Sequence, residues 1–284
     1  MFTTLALAAA LAAPVPKAAA PDLKWRFTKG DTFYVSAGME TSVAANGLPG
    51  GGAAQQNTSV AEYTYKVTVA SADEKGTTLE VEFLSCKSGN GGNGVAAKLA
   101  DDPNAVGQKL TFTLDAANKV TKADGKLNAA AGGLFSSEYV QSHVQDLFRA
   151  VPGKPLGKGD TWKGEEEFEL TEGMVNKRTD RGTVGGTEDG LTKLEVETDN
   201  AMVGGPKGGG INYNLAGDKG KRTILFDAKA GRVRKLTEEY TVSGSITIGN
   251  LGGGGGGGPP PNITLSMTMK ATVTVSDKEP KPGK

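Results

Sequence analysis

Ile263-Thr264-Leu265-Ser266-Met267-Thr268-Met269-Lys270-Ala271-Thr272-Val273-Thr274-Val275 sets an apolar side chain at every second position against Thr, Ser and Lys. Side chains of a strand point alternately to its two faces, so this stretch has one dry face and one wet face, as antiparallel sheets do. The segment Tyr240 to Ile248 is its companion. Between them Gly252 to Pro261 reads as a long flexible connection that closes on the rigid Pro259-Pro260-Pro261. Further back, Tyr63, Tyr65, Val67 and Val69 alternate with Glu62, Thr64, Lys66 and Thr68, and Leu79, Val81 and Phe83 repeat the pattern after a turn at Asp73-Glu74-Lys75-Gly76. These two segments form a hairpin. A further alternating set is Leu191, Leu194 and Val196, followed by Ile211, Tyr213 and Leu215.

One segment carries helical periodicity. Ser136 is its N-cap and Glu138 lies in its first turn. Tyr139, Val140, Val144, Leu147 and Phe148 recur at three- and four-residue spacing, and Pro152-Gly153 stops it. The fold class that follows is mainly β: a curved antiparallel sheet or incomplete barrel over about residues 22–276, with one amphipathic helix (136–150) on its concave face. Tyr139, Val144, Leu147 and Phe148 are then buried. The alternative is two diverged lobes, 23–150 and 151–276, because one phrase occurs twice. Lys29-Gly30-Asp31-Thr32-Phe33 returns as Lys158-Gly159-Asp160-Thr161-Trp162, and each is followed by a strand ending in Asp and a turn to a basic-Val pair, Asp115 to Lys119-Val120 and Asp227 to Arg232-Val233. Asp bonding its own following backbone and Gly supplying positive φ account for such phrases as hairpin chemistry. Trp25, Phe27, Phe33, Trp162 and Phe168 read as core aromatics near strand starts.

Composition narrows the function. The 32 basic and 32 acidic side chains cancel, which leaves no bulk field for nucleic acid or an anionic membrane. The 42 glycines are far above ordinary usage and collect in Gly47–Ala54, Gly89–Gly94, Gly204–Gly210 and Gly252–Pro261, which are expected as mobile loops. Leu5 to Ala13 is a short apolar run followed by Pro14, Pro16 and Ala18-Ala19-Ala20, and residues 1–20 are read as a secretory signal peptide, although Met1 to Thr4 has no Lys or Arg. No segment is long enough for a helical membrane span. The tail, 277–284, is expected to be disordered. Export to the periplasm or cell surface follows.

Chemistry is sparse. Cys86 is the single cysteine; Phe83-Leu84-Ser85-Cys86 reads as a strand end with a half-buried structural thiol. His143, the single histidine, lies at the edge of the helical stripe, where Asp146 and Ser136 or Ser142 on one straight helix do not make a catalytic fork. One His and one Cys far apart do not make a zinc site. Gly153-Lys154-Pro155-Leu156-Gly157-Lys158-Gly159 has one residue too few for a phosphate loop and ends in Gly, and Gly204–Gly210 has no following helix. Glu165, Glu167 and Glu169 share a face after Trp162; such charges suit a solvated edge strand better than a calcium site.

The order Leu23-Lys24-Trp25-Arg26-Phe27, Lys29-Gly30-Asp31, Phe112-Thr113-Leu114-Asp115, the helix, Val151-Pro152 and Pro155-Leu156-Gly157-Lys158-Gly159-Asp160-Thr161-Trp162 resembles uncharacterised exported β-rich proteins of planctomycete-type bacteria. It covers most of the mature chain, and the family has no established activity. In architecture the chain is more loosely similar to periplasmic lipoprotein carriers, whose curved sheet wraps a helix over an apolar cavity; that likeness implies a lipid or other apolar ligand. The expected function is therefore a non-enzymatic binding or envelope-associated structural module without cofactor or metal. A hydrolase acting on an envelope polymer is the alternative. Tyr139, Leu147 and Phe148 on the helix are the candidate ligand contacts, with the Gly-rich loops as a movable rim.

Overall fold

The computed structural model describes residues 20–47, 55–92, 95–125, 137–171, 173–205, 210–248 and 262–280. The strands are β1 (Thr32–Asn46), β2 (Gln55–Asp73), β3 (Gly76–Gly92), β4 (Ala100–Asp101), β5 (Lys109–Asp115), β6 (Val120–Asp124), β7 (Thr161–Thr171), β8 (Met174–Glu188), β9 (Leu191–Gly204), β10 (Ile211–Asp227), β11 (Arg232–Ile248) and β12 (Asn262–Ser276), with one helix, α1 (Ser137–Arg149), between β6 and β7. All pairings are antiparallel, in the order β6-β5-β3-β2-β1-β12-β11-β10-β9-β8-β7, with β4 beside β3. The chain thus starts at the centre with β1, winds out to the edge at β6, and passes through α1 to the opposite edge at β7. It then winds back until β12 docks on β1. The expected hairpins β2–β3 and β11–β12 are both present.

The sheet is a partial ring that does not close as a barrel. Helix α1 shows the curvature. His143 meets the Tyr63 ring of β2 edge-on at 5.3 Å, and Asp146 pairs at 3.0 Å with Arg178 of β8. Those strands lie six steps apart in the sheet, so one helix reaches both only from the concave side. Val144, Leu147 and Phe148 are all buried there, as the helical spacing requires. The N-cap assigned to Ser136 and the side chain of Tyr139 lie outside the described part.

Alternation sorts the two faces. Ala37, Tyr63, Cys86, Leu194, Ile224, Leu236 and Val273 line up across the inner face and are buried. Outside, Lys163, Arg181, Glu197, Lys221, Glu239, Lys270 and Glu40 form one continuous cross-strand row of mostly alternating charge. Opposite charges facing one another across strands favour that register. A strand barrel in a lipid bilayer carries an apolar outer band instead. The acidic strand β7 is the sheet's edge, where charge guards against pairing with another chain; the side chains of Phe168 and Glu169 lie outside the described part.

The repeated phrase is a repeated turn. Gly30 and Gly159 have φ of 88° and 87°. Gly30 N–H donates to Val69 O and Val69 N–H to Asp31 O; Gly159 N–H donates to Val184 O and Val184 N–H to Asp160 O. The segments that precede the phrases pair with each other through the Asp22–Pro155 bridge. A Cβ at either glycine would meet nothing within 4 Å, so only the left-handed backbone resists substitution. Gly30→Ala and Gly159→Ala should each cost about 1–2 kcal/mol. Urea unfolding checks this, and unequal losses would show the two turns not to be equivalent.

Three expectations change. Gly89–Gly92 belongs to β3 rather than to a loop. A Cβ on Gly89 would sit 2.2 Å from Lys98 O and one on Gly91 2.4 Å from Val95 O, so glycine here permits the close approach of chain 95–99. Cys86 is therefore inside a strand that bulges at Leu84, and it is buried; burial first and Asp102 second push its thiol up to about 12. The tail begins later than Asp277, which Arg232 and Arg234 hold at 2.7 and 2.8 Å. The stretch read as a signal peptide, up to residue 19, and residues 281–284 lie outside the described residues.

The two rims differ. At one, Asp73, Asp115, Asp189-Gly190 and Asp227 make tight turns, with Asp189 and Gly190 at φ of 51° and 79°, both in the left-handed region that a two-residue hairpin turn needs. At the other end β1, β3, β9 and β11 stop at Asn46, Gly92, Gly204 and Ile248. All four Gly-rich stretches adjoin that rim, although most of their length is outside the described residues.

Candidate functional site

The inner face changes character from one rim to the other. Next to the tight turns it is a closed aromatic core. Phe148 meets Trp25 edge-on at 4.9 Å and Phe27 at 5.5 Å, and Trp25 tilts on Phe33 at 6.0 Å. Leu147 and Phe148, two of the three helix residues singled out in the sequence, belong to this core and are 2% and 1% exposed. The third, Tyr139, has its backbone in α1. One rim of a seam cleft of about 450 Å3, between the β5–β6 turn, the end of α1 and β7, is formed by Phe148 with Trp162 and Glu166.

Above the core, on the β7–β11 half, lies a cluster of charges that the sequence did not announce. Arg178, 4% exposed at its side chain, donates to Asp146 of α1 at 3.0 Å and to Asp180 at 2.9 Å. Thr198 donates to the second oxygen of Asp180 at 2.9 Å. Arg222 donates through one nitrogen to both oxygens of Glu238 at 2.9 Å. Arg149 of α1 pairs with Glu166 of β7. Burial opposes the Arg178 charge, but the facing carboxylates outweigh it and its pKa is raised. Burial also pushes the Glu166 carboxyl up, against the pull of Arg178. Buried pairs of this kind hold only while both partners are present. They fasten α1 to the far half of the sheet.

His143 lies between this cluster and Tyr63. Its ring is half-buried by area, yet Nε2 has no solvent contact and no hydrogen-bond partner. Burial lowers its pKa from 6.5 to about 4, with Asp146 pulling it up and Arg222 pushing it down. A group whose folded pKa is depressed gives stability that is present above its unfolded pKa and fades as pH falls toward the folded value. Unfolding free energy should therefore drop between pH 6.5 and about 4, by roughly 2–3 kcal/mol if His143 acted alone. Glu166, with its raised pKa, works in the opposite sense. Because the chain has one histidine, His143→Phe should flatten the pH 5–6.5 part of the profile; an unchanged slope would mean that another group titrates there.

Toward the Gly-rich rim the inner face is apolar again and much of it is only half-buried. Counting Met1, the chain has 6 methionines, and the other five all fall on this side of the sheet. Met39 faces Ala271, Met267 lies between Val43 and Val242, and Met269 lies between Thr41 and Tyr240. Met202 lies between Asn176 and Leu215, and Met174 faces Gly204. Met39 is buried, whereas Met174, Met202, Met267, Met269, Val43 and Leu265 are half-buried. Beside them on the same face Leu215, Val242, Ile246 and Ile263 are buried. From Met39 to Ala45 this band runs about 20 Å along the strand at the usual rise per residue. Single methionines carry no signal in the sequence; only the register across β8, β9, β12 and β1 gathers them.

No family model matches the chain, and no curated protein matches it. Among solved structures it is similar to lipovitellin, studied for its lipid–protein interactions, at 10% identity and a TM-score of 0.50, over 91% of this chain and 27% of that one. The chain thus spans about a quarter of that neighbour's length, and the likeness is one of fold. DynF of the dynemicin biosynthesis pathway of Micromonospora chersina, at 8% identity over 92% of each chain, and an outer membrane channel of Pseudomonas putida, at 11% identity over 88% of this chain and 97% of that one, have TM-scores of 0.20 and 0.23, too low to support any reading.

Among the described residues no three His, Cys, Asp or Glu side chains gather as metal ligands, and no helix is long and apolar enough to cross a membrane.

Proposed function

We propose that the protein is a non-enzymatic carrier or binding module of the cell envelope that holds an apolar, lipid-like ligand in the open end of its curved sheet. The observation that carries this is the half-buried band of Met174, Met202, Met267, Met269, Val43 and Leu265 on the inner face. Apolar surface left facing a concavity is costly unless something covers it, and thioether side chains adapt to flexible chains of varied shape. The band's length matches an extended acyl chain. The lipovitellin-like fold, in a structure described by its lipid–protein interactions, supports the same reading. The ligand surface then lies nearer the Gly-rich rim than Leu147 and Phe148, which fill the closed core. The leader at residues 1–20 supports an exported protein.

The test is titration of the folded chain with a fluorescent fatty acid, alongside native mass spectrometry of protein taken from its own host. Binding in the micromolar range or tighter is expected, and Met267→Glu should weaken it at least about tenfold by placing a charge in the band, with cooperative unfolding retained. If the chain arrives empty and takes up no fatty acid while folded, the proposal fails.

A further inference from the structure

Beside the methionine band, on β8, β9 and β10, the inner face carries Asn176, Asn200 and Arg222, which are 7%, 6% and 2% exposed. Each has polar atoms with neither a hydrogen bond nor solvent: Oδ1 of Asn176, Nδ2 of Asn200, and Nε and Nη1 of Arg222. Arg222 Nη1 has only a distant ion-pair contact, 3.7 Å from Asp180. A buried donor left without a partner costs about 1–3 kcal/mol, so three of them on one patch call for an oxygen-bearing occupant. The patch adjoins the band directly. Asn176 faces Met202, and Asn200 lies two positions before Met202 on the same face of β9.

The backbone is also altered here. Asn200 faces Gly217 on β10 and Thr198 faces Gly220, so two residues of β10 oppose the single Asp199, one more than regular pairing allows. Bulges of this kind recur beside functional sites, where they re-aim side chains.

We infer that this patch receives the head of the ligand, and that the ligand is a single-chain amphiphile with an acyl oxygen head, a fatty acid or acyl ester, accepting hydrogen bonds from Arg222 and Asn200. This rests on the proposal that an apolar chain lies along the methionine band. The unpartnered donors of the patch favour oxygen over a cation. Arg149 pairs with Glu166 and Arg178 with Asp146 and Asp180, while Arg222 gives one nitrogen to Glu238 and keeps Nε and Nη1 as donors without a hydrogen bond. An ammonium head would face the unpartnered nitrogens of Arg222 and repel them; a carbonyl or carboxyl oxygen accepts from them.

Hexadecanoic acid, its methyl ester and hexadecylamine, titrated into the folded full chain, separate the possibilities. The acid and ester should bind about tenfold or more tightly than the amine, the difference that one or two buried hydrogen bonds make. Asn200→Leu, a near-isosteric change that leaves the arginine pairs intact, should cut that preference to below about threefold while the amine binds as before. Equal binding of all three ligands, or a preference that survives Asn200→Leu, overturns the head-group assignment and leaves the apolar-chain reading standing, with the unpartnered atoms serving ordered water only. If none of the three binds, the apolar-chain reading itself falls.

Discussion

An Arg178→Met chain should lose about 3–5 kcal/mol of folding stability, because the substitution strands Asp146 and Asp180 without their cation. Arg178 is 4% exposed and sits where α1 meets β8, so the loss reaches beyond one pair. Asp146 holds the helix to that half of the sheet, and Arg149 with Glu166 is a second tie. Hydrogen exchange should accordingly quicken in α1 before it does in β1 or β2. A companion variant distinguishes the charge effect from lost packing: adding Asp180→Leu to Arg178→Met should recover part of the stability, since fewer carboxylates remain uncompensated. A loss below about 1 kcal/mol for the single change, or a further loss in the double, would mean that the cluster is hydrated and weakly coupled.

The second large effect concerns Phe148. Its ring packs edge-on against Trp25 at 4.9 Å and Phe27 at 5.5 Å, which stack on each other in the stretch that precedes β1. Phe148→Ala removes a fully buried ring and leaves a cavity among rigid aromatic neighbours, which costs about 3–5 kcal/mol. Phe148→Leu, which refills most of the volume, should cost clearly less. Both are measured by urea or thermal unfolding. If binding of a fatty acid is unaffected in the folded fraction of Phe148→Ala, the aromatic core is support for the sheet and not ligand surface. Lost binding in a well-folded variant would return the ligand site to the helix face.

The alternation in Ile263–Val275 and Tyr63–Val69 was legible because one face of each strand is uniformly apolar. The Lys-Gly-Asp-Thr phrases were legible as turns because only glycine settles easily at their φ. The helix was legible from Val144, Leu147 and Phe148. The interior cluster was not. Asn176, Arg178, Asp180 and Gly182 read as a polar strand with no core side, and an inward arginine differs from an outward one only through partners on β7, β9, β11 and α1. Gly89–Gly92 misled for the opposite reason. Glycines that suggest a free loop are there required by a second chain segment pressing on the strand. The methionine band needed a register between strands far apart in sequence, which alternation within one strand does not supply.

The docking of β12 on β1, with Tyr34 opposite Ser276, also imposes an order in time. The first long strand waits for the last, nearly the whole chain later. At ordinary rates of synthesis that wait is roughly ten to fifty seconds, during which one edge of β1 has no neighbour. An unpaired edge is a template for another chain, and closing so long a loop is entropically the most demanding step in assembling the sheet. Completion of the trough is therefore the final event of folding, and a chain that ends before residue 262 presents a long unsealed edge where the intact protein has its centre.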